Sequence, residues 1–249
     1  MNSAEKIRGA IDRVAALRAE AQASRKLQEA VTAVKSFQSR RFTGTYPDLL
    51  RSAEYGDAAR FFLVELYSEK DYSKRDLQFA KIAGALQRLF PRQVVGTAVA
   101  LAELHVLTEE LDSAMAVAWI EQRAMSSADL TCYVNAWNMV GRACDRAQQL
   151  ELVLQIGGEL DHLTRTPGLR MMLRMMRRPA SATGLADLQR FLESGFDTFA
   201  DITDRGASVT EFLDTIHERE LKLMDALFLN DRDMVERVLS QAQWNSARE

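Results

Sequence analysis

The chain has 249 residues, 47% of them hydrophobic and 27% charged, with a formal net charge of −3. That is enough chain to bury a core without disulfide or metal staples. Only 12 Gly and 4 Pro stand against 34 Ala and 30 Leu. This balance excludes a collagen-like or disordered chain and argues against a β-sandwich with a turn every ten residues or so.

Residues 3–40 contain no Pro and only Gly9, with Ile7, Ile11, Val14, Leu17, Ala21, Leu27, Val31, Val34 and Phe37 at helical spacing. The stripe predicts one long helix of more than about 50 Å, thin in the middle at Ala21 and Ser24. Residues 1–41 carry nine basic groups against four acidic ones, a net of +5 that leaves −8 to the remainder. The expected layout is a basic N-terminal helix over 1–44, docked on the body or on a second subunit, and a single helical-bundle domain over 45–249. No aromatic residue is interleaved with the bases before Phe37, which argues against a nucleic-acid partner.

Gly44 and Pro47 mark a break. A short helix or turn over Asp48–Gly56 precedes a helix over Asp57–Glu69. Ser73 reads as an N-cap with Asp76 in the capping-box slot, opening a helix to Phe90. Pro91 sits where the next helix can begin, and an apolar helical segment runs from Val94 to about Glu121. Ser126 or Ser127, with Asp129, starts a helix that Gly141 interrupts, and Arg142–Leu163 follows. Thr166-Pro167 reads as an N-cap with proline at the first helical position, and this helix ends before Pro179. Helices over Gly184–Ile202, from Ser208 with Glu211 to Asn230, and over Asp231–Gln243 complete the chain. No strand alternation and no fixed repeat period is present. The fold class expected is all-α, an irregular bundle of about 9–11 helices.

Met1–Ala10 has neither an apolar core nor a small-residue cleavage site, so no secretory signal is expected. The longest uncharged stretch, Leu130–Gly141, has twelve residues, against the roughly 20 that a spanning helix requires. Cys132 and Cys144 read as two buried thiols of a reducing compartment. A cytoplasmic location is expected.

Phe61-Phe62-Leu63-Val64-Glu65-Leu66-Tyr67 resembles the marker of a bacterial family named for an FFLEELY-type motif, whose members are uncharacterised helical proteins. The likeness continues through Asp71-Tyr72-Ser73-Lys74-Arg75-Asp76, Leu89-Phe90-Pro91 and Leu111-Asp112. It extends to Arg177-Arg178-Pro179-Ala180, Gly184-Leu185 and Phe191-Leu192-Glu193-Ser194-Gly195-Phe196, covering about residues 55–229. Val64 stands where the namesake motif has a second acid, leaving Glu65 as the only carboxylate. The resemblance implies a helical fold and no activity.

Within the motif, Phe61, Phe62, Leu63 and Leu66 cover more than half a helix circumference, as a core helix does. A carboxylate there requires a partner, and Arg75 of the next helix is within reach of Glu65 or Asp71. Glu159 and His162 have the Glu-x-x-His spacing of helical di-iron sites. Asp214 and His217 form a looser second pair, with Glu103 and Glu110 as further acids; His105 has Ala102 three residues before it. One full pair is thin support, so neither metal nor cofactor is expected. No nucleophile elbow, Cys-x-x-Cys or phosphate loop is present, and Gly157-Gly158 reads as a close helix approach or a kink. Arg170, Arg174, Arg177 and Arg178 share one helix face, with Met171, Met172, Leu173, Met175 and Met176 filling the rest. The four arginines either bind an anion or partner or pair with acids near Glu193 and Asp197. The expected function is a non-catalytic interaction or adaptor protein, with a protein partner or self-association and at most peripheral membrane contact. The alternatives are a metal-dependent helical enzyme and a carrier of an apolar ligand.

Overall fold

The computed structural model describes residues 1–67, 70–231 and 233–237. Among them every regular element is helical, and twelve helices follow one another. The first six are α1 (Ser3–Gln22), α2 (Arg25–Thr45), α3 (Pro47–Arg51), α4 (Gly56–Leu66), α5 (Ser73–Leu89) and α6 (Arg92–Arg123). Then come α7 (Asp129–Val140), α8 (Ala143–Thr164), α9 (Leu169–Met175), α10 (Arg177–Ala182), α11 (Ala186–Asp204) and α12 (Val209–Phe228). The closing helix predicted over 231–243 lies mostly outside the described residues, of which 233–237 are helical.

The 32-residue α6 is the spine. Its apolar positions run all round rather than along one stripe, as in a helix buried from several sides. It packs against α1 and α2 on one flank and α7 and α8 on another. Phe37, Trp119 and Tyr133 centre one core cluster around it, while Phe42, Tyr46, Phe62, Phe199 and Phe212 form a second.

The single long N-terminal helix is corrected to two. Arg18 of α1 and Lys35 of α2 both reach Glu109 of α6, at 2.9 and 3.0 Å. One continuous helix would hold these two residues about 25 Å apart along its axis. The chain instead folds back at Ser24, whose side chain caps α2 by accepting the Leu27 amide hydrogen. Ala21 and Ser24 offer no apolar grip at the bend, whereas Ile7, Ile11, Val14 and Leu17 of α1 and Val34 and Phe37 of α2 are all buried. The basic segment thus packs on the body of its own chain. Lys6–Glu103, Arg13–Glu110 and Arg40–Asp129 bridges stitch its edge to the more acidic remainder. Such exposed pairs contribute orientation more than stability.

Four further readings change. Ser73 is the first residue of α5, not its cap; Asp71 accepts from the Ser73 amide at 2.9 Å, and Asp76 turns inward. Pro167 precedes α9, which starts at Leu169 after Gly168 at φ +79. Pro179 lies inside the first turn of α10, where its missing N–H costs no helical bond. Cys132 is buried as expected, but Cys144 is exposed, and both are free thiols. The glycine doublet acts through one member. A Cβ on Gly157 would lie 2.6 Å from Leu213 Cδ2 of α12, whereas one on Gly158 would have nothing within 4 Å among the described residues. Gly157 therefore sets the approach of α8 to α12.

Candidate functional site

The arginine–methionine segment forms α9 and the start of α10, laid over α11. Arg170 Nε donates to Asp197 Oδ1 at 2.8 Å and lies within 3.8 Å of Asp201 and 3.7 Å of Asp204. Arg174 is 3.6 Å from Asp197, and Arg177 Nε donates to Glu193 at 2.7 Å. Three of the four arginines are thus engaged by carboxylates of α11. Arg178 is exposed and makes no ion pair among the described residues. With the arginines turned toward α11, the methionines face out: Met171 is 68% and Met175 71% exposed, flanked by half-exposed Met172 and Met176. No residue of α9 is buried.

The aromatic motif occupies α4 and the turn after it. Phe62 is buried among Phe199 and Phe212, and Tyr67 lies against Phe42 with ring centroids 4.9 Å apart. Phe61 stacks on Phe191 of α11 at 5.9 Å, and a Cβ on Gly195 would come within 3.1 Å of the Phe61 ring. Arg75 donates to Glu65 in a close hydrogen bond. Its guanidinium also lies 3.9 Å from the Tyr72 ring centroid and 4.4 Å from that of Phe191. Segments 61–67, 71–76 and 191–196, far apart in sequence, therefore meet around one arginine. Glu65→Gln keeps the shape but loses the charge assistance, and should lower stability by about 1–2 kcal/mol. Urea denaturation checks this; an unchanged midpoint would show the pair to be idle.

Asp76 leads from this corner into a buried ionic seam. Its Oδ2 accepts from Arg18 and pairs with His105 Nε2, both at 2.8 Å. Arg18 also donates to Glu109, which Lys35 bridges in turn. Lys35 lies 3.9 Å from Asp112, and Gln38 donates to the same carboxylate at 3.0 Å. Burial alone would raise Asp76, but the hydrogen bond and charge of His105, with Arg18 and Arg75, hold it below the usual carboxylate range. Burial opposes Glu109 too, and Lys35 and Arg18 hold it low. Asp112 goes the other way, raised by burial and by neighbouring Glu109 against the pull of Lys35. In the sequence Asp76 stood out as a cap and in the family likeness, Asp112 only in that likeness and His105 only as a histidine without metal spacing, so the seam itself was not anticipated. The available signal was Glu109 and Asp112, two acids three apart in the middle of an apolar helical run.

The metal-spacing residues serve other contacts. Glu159 accepts from Gln93 at 2.8 Å, His162 is exposed, and Glu103 and Glu110 face Lys6 and Arg13. His105 belongs to the seam, and Asp214 and His217 are exposed on α12. Among the described residues no three His, Cys, Asp or Glu side chains group as a metal site would require. No helix there is long and apolar enough to cross a membrane.

A family model described as a domain of unknown function, DUF8198, matches residues 17–234. No curated protein and no solved structure matches the chain.

Proposed function

We propose, for a chain that belongs to the DUF8198 family of domains of unknown function, a non-catalytic role as an interaction protein that binds a protein partner through α9 and α10. The observation that carries this reading is the set of four methionines turned to solvent, three on α9 and Met176 at its C-cap, on a segment fastened from its other side by salt bridges. Isolated apolar residues on a surface are ordinary, but a contiguous methionine patch suits an adaptable contact with an apolar helix face. Engagement of Arg170, Arg174 and Arg177 by α11 acids weighs against a membrane surface, because little positive charge is left to draw anionic lipid. Free Arg178 favours an acidic flank on the partner helix. The Phe61–Tyr67 segment is read as this chain's form of the FFLEELY-type motif of a bacterial family. Two free thiols support a reducing, cytoplasmic location.

The test is a photo-crosslinking residue at Met172 in the full chain, with and without Met171→Glu and Met175→Glu. Both substituted positions are exposed, so helical circular dichroism should not change. A discrete heterologous crosslink, lost on the double substitution, is expected. A crosslinked homodimer would replace the partner by a second copy, and crosslinks insensitive to the substitution would overturn this surface. Stoichiometric iron or manganese in the purified protein would instead favour the metal-dependent reading built on Glu159 and His162.

A further inference from the structure

Behind the ionic seam, where α2, α4, α6, α7, α8 and α12 meet, lies a cavity of about 60 Å³. That is room for about four water molecules. Its charged lining is Arg41, Arg146 and Glu220, and Leu104, Leu150, Val153 and Ile216 contribute an apolar wall. Arg41 has its counter-charge: its Nη1 donates to both oxygens of Glu220, at 2.9 and 3.2 Å. Arg146 does not. Only 5% exposed, it lies with its guanidinium 4.1 Å from the Trp137 ring centroid, and its Nε and Nη2 have no hydrogen-bond partner among the described residues. Trp137 Nε1 is a third buried donor left open, and Trp137 also lines the cavity. The other buried acid close by, Asp112, is occupied by Gln38 and Lys35.

The two open nitrogens of Arg146 belong to one edge of the guanidinium, where their N–H bonds run parallel. That edge is the fork that a carboxylate fills with its two oxygens. A buried cation without an ion pair is costly in a protein interior; Asp112 attracts Arg146 without contacting it, and the lining carries two positive charges against one negative. One monoanion balances it, whereas a dianion would leave excess negative charge beside Glu220. The apolar wall opposite favours a ligand with a hydrocarbon body, and the volume keeps that body short. We propose that this cavity binds a short-chain monocarboxylate, its two oxygens on the Nε–Nη2 edge of Arg146 and its hydrocarbon part against Leu104, Leu150 and Ile216. The site is separate from the methionine surface and stands or falls independently of it.

Sodium propionate is the probe, titrated calorimetrically into the full-length protein against sodium chloride and sodium phosphate at matched ionic strength, with melting temperature as a second readout. Saturable propionate binding and a raised melting temperature are expected, with no matching response to chloride or phosphate. Arg146→Met should melt higher than wild type in carboxylate-free buffer, because it removes an unpaired buried charge, and should bind propionate at least tenfold more weakly. Arg146→Lys keeps the charge without the fork, so it should show the same loss of affinity; it carries the test if the methionine variant does not fold. A purely structural arginine would give a lower-melting methionine variant and no propionate effect, which would overturn the assignment. Equal responses to chloride or phosphate, or unchanged propionate affinity in both variants, would overturn it as well.

Discussion

Glu109→Ala is expected to lower the free energy of unfolding by about 3–5 kcal/mol, a loss read as an earlier urea midpoint. Glu109 is the acceptor shared by Arg18 and Lys35, all three side chains at most one-fifth exposed. Removing it leaves Arg18 with Asp76 alone and Lys35 with only Asp112 at 3.9 Å, so the penalty is that of two undercompensated buried charges rather than of one lost hydrogen bond. Glu29→Ala, which breaks the exposed Arg25–Glu29 pair, should leave the urea midpoint essentially unchanged. Equal small losses in both variants would show the seam to be solvated. Acid titration examines the same group. Asp76 and Glu109 titrate lower in the folded chain than in the unfolded one. Their contribution is therefore complete above the unfolded values, near pH 4, and is lost as pH falls through the folded values. Asp112 titrates higher when folded, so its protonation on acidification has the opposite sign and favours the fold. The urea midpoint should hold or rise slightly from pH 7 toward 5 and fall steeply below about 4. Glu109→Gln should make that acid limb shallower.

Arg41→Met should cost a similar amount, about 3–5 kcal/mol, while the double variant Arg41→Met/Glu220→Leu recovers most of it. Arg41 is buried, bridges both Glu220 oxygens and lies over the Tyr67 ring at 5.4 Å. Tyr46 donates to the same carboxylate at 2.8 Å. Removing the cation alone leaves Glu220 facing only a hydroxyl inside the core. Removing both charges leaves neither member of this pair facing a missing partner, and apolar replacements of similar size are tolerated in such places. Chemical denaturation of wild type, both single variants and the double variant gives the coupling between the two residues. A double variant as unstable as the two single losses added together would refute the account.

Most helix bodies were legible because the 3.6-residue period and the capping residues are local. Ser208 caps α12 through the Glu211 amide and Gly141 at φ +60 closes α7, each as the sequence predicts, whereas Pro47, read only as a break, opens the shorter α3. The bend at Ser24 was missed because the apolar spacing on its two sides is compatible with one helix. The difference lies in whether both stripes find α6, which no local pattern records. Asp76 was misread for a related reason. A serine followed three residues later by an acid satisfies the capping-box pattern, yet Arg18 and His105, distant in sequence, decide where that acid points. The arginines of α9 show the reverse case. The sequence supplied both their shared face and the acids near Glu193 and Asp197, and packing on α11 selected the internal pairing and left the methionines outside.

Composition and periodicity were sufficient to establish an all-helical chain, with its low glycine and proline content concentrated largely at helix ends. Those properties depend on residues within one or two turns of each other. Tertiary packing alone decided which charges are buried, because burial depends on the helix that happens to lie opposite. It converted a +5 segment and a −8 remainder into a folded-back hairpin docked on its own body. It also left Arg146, one basic residue among 32 in the sequence, as a buried guanidinium with an open edge.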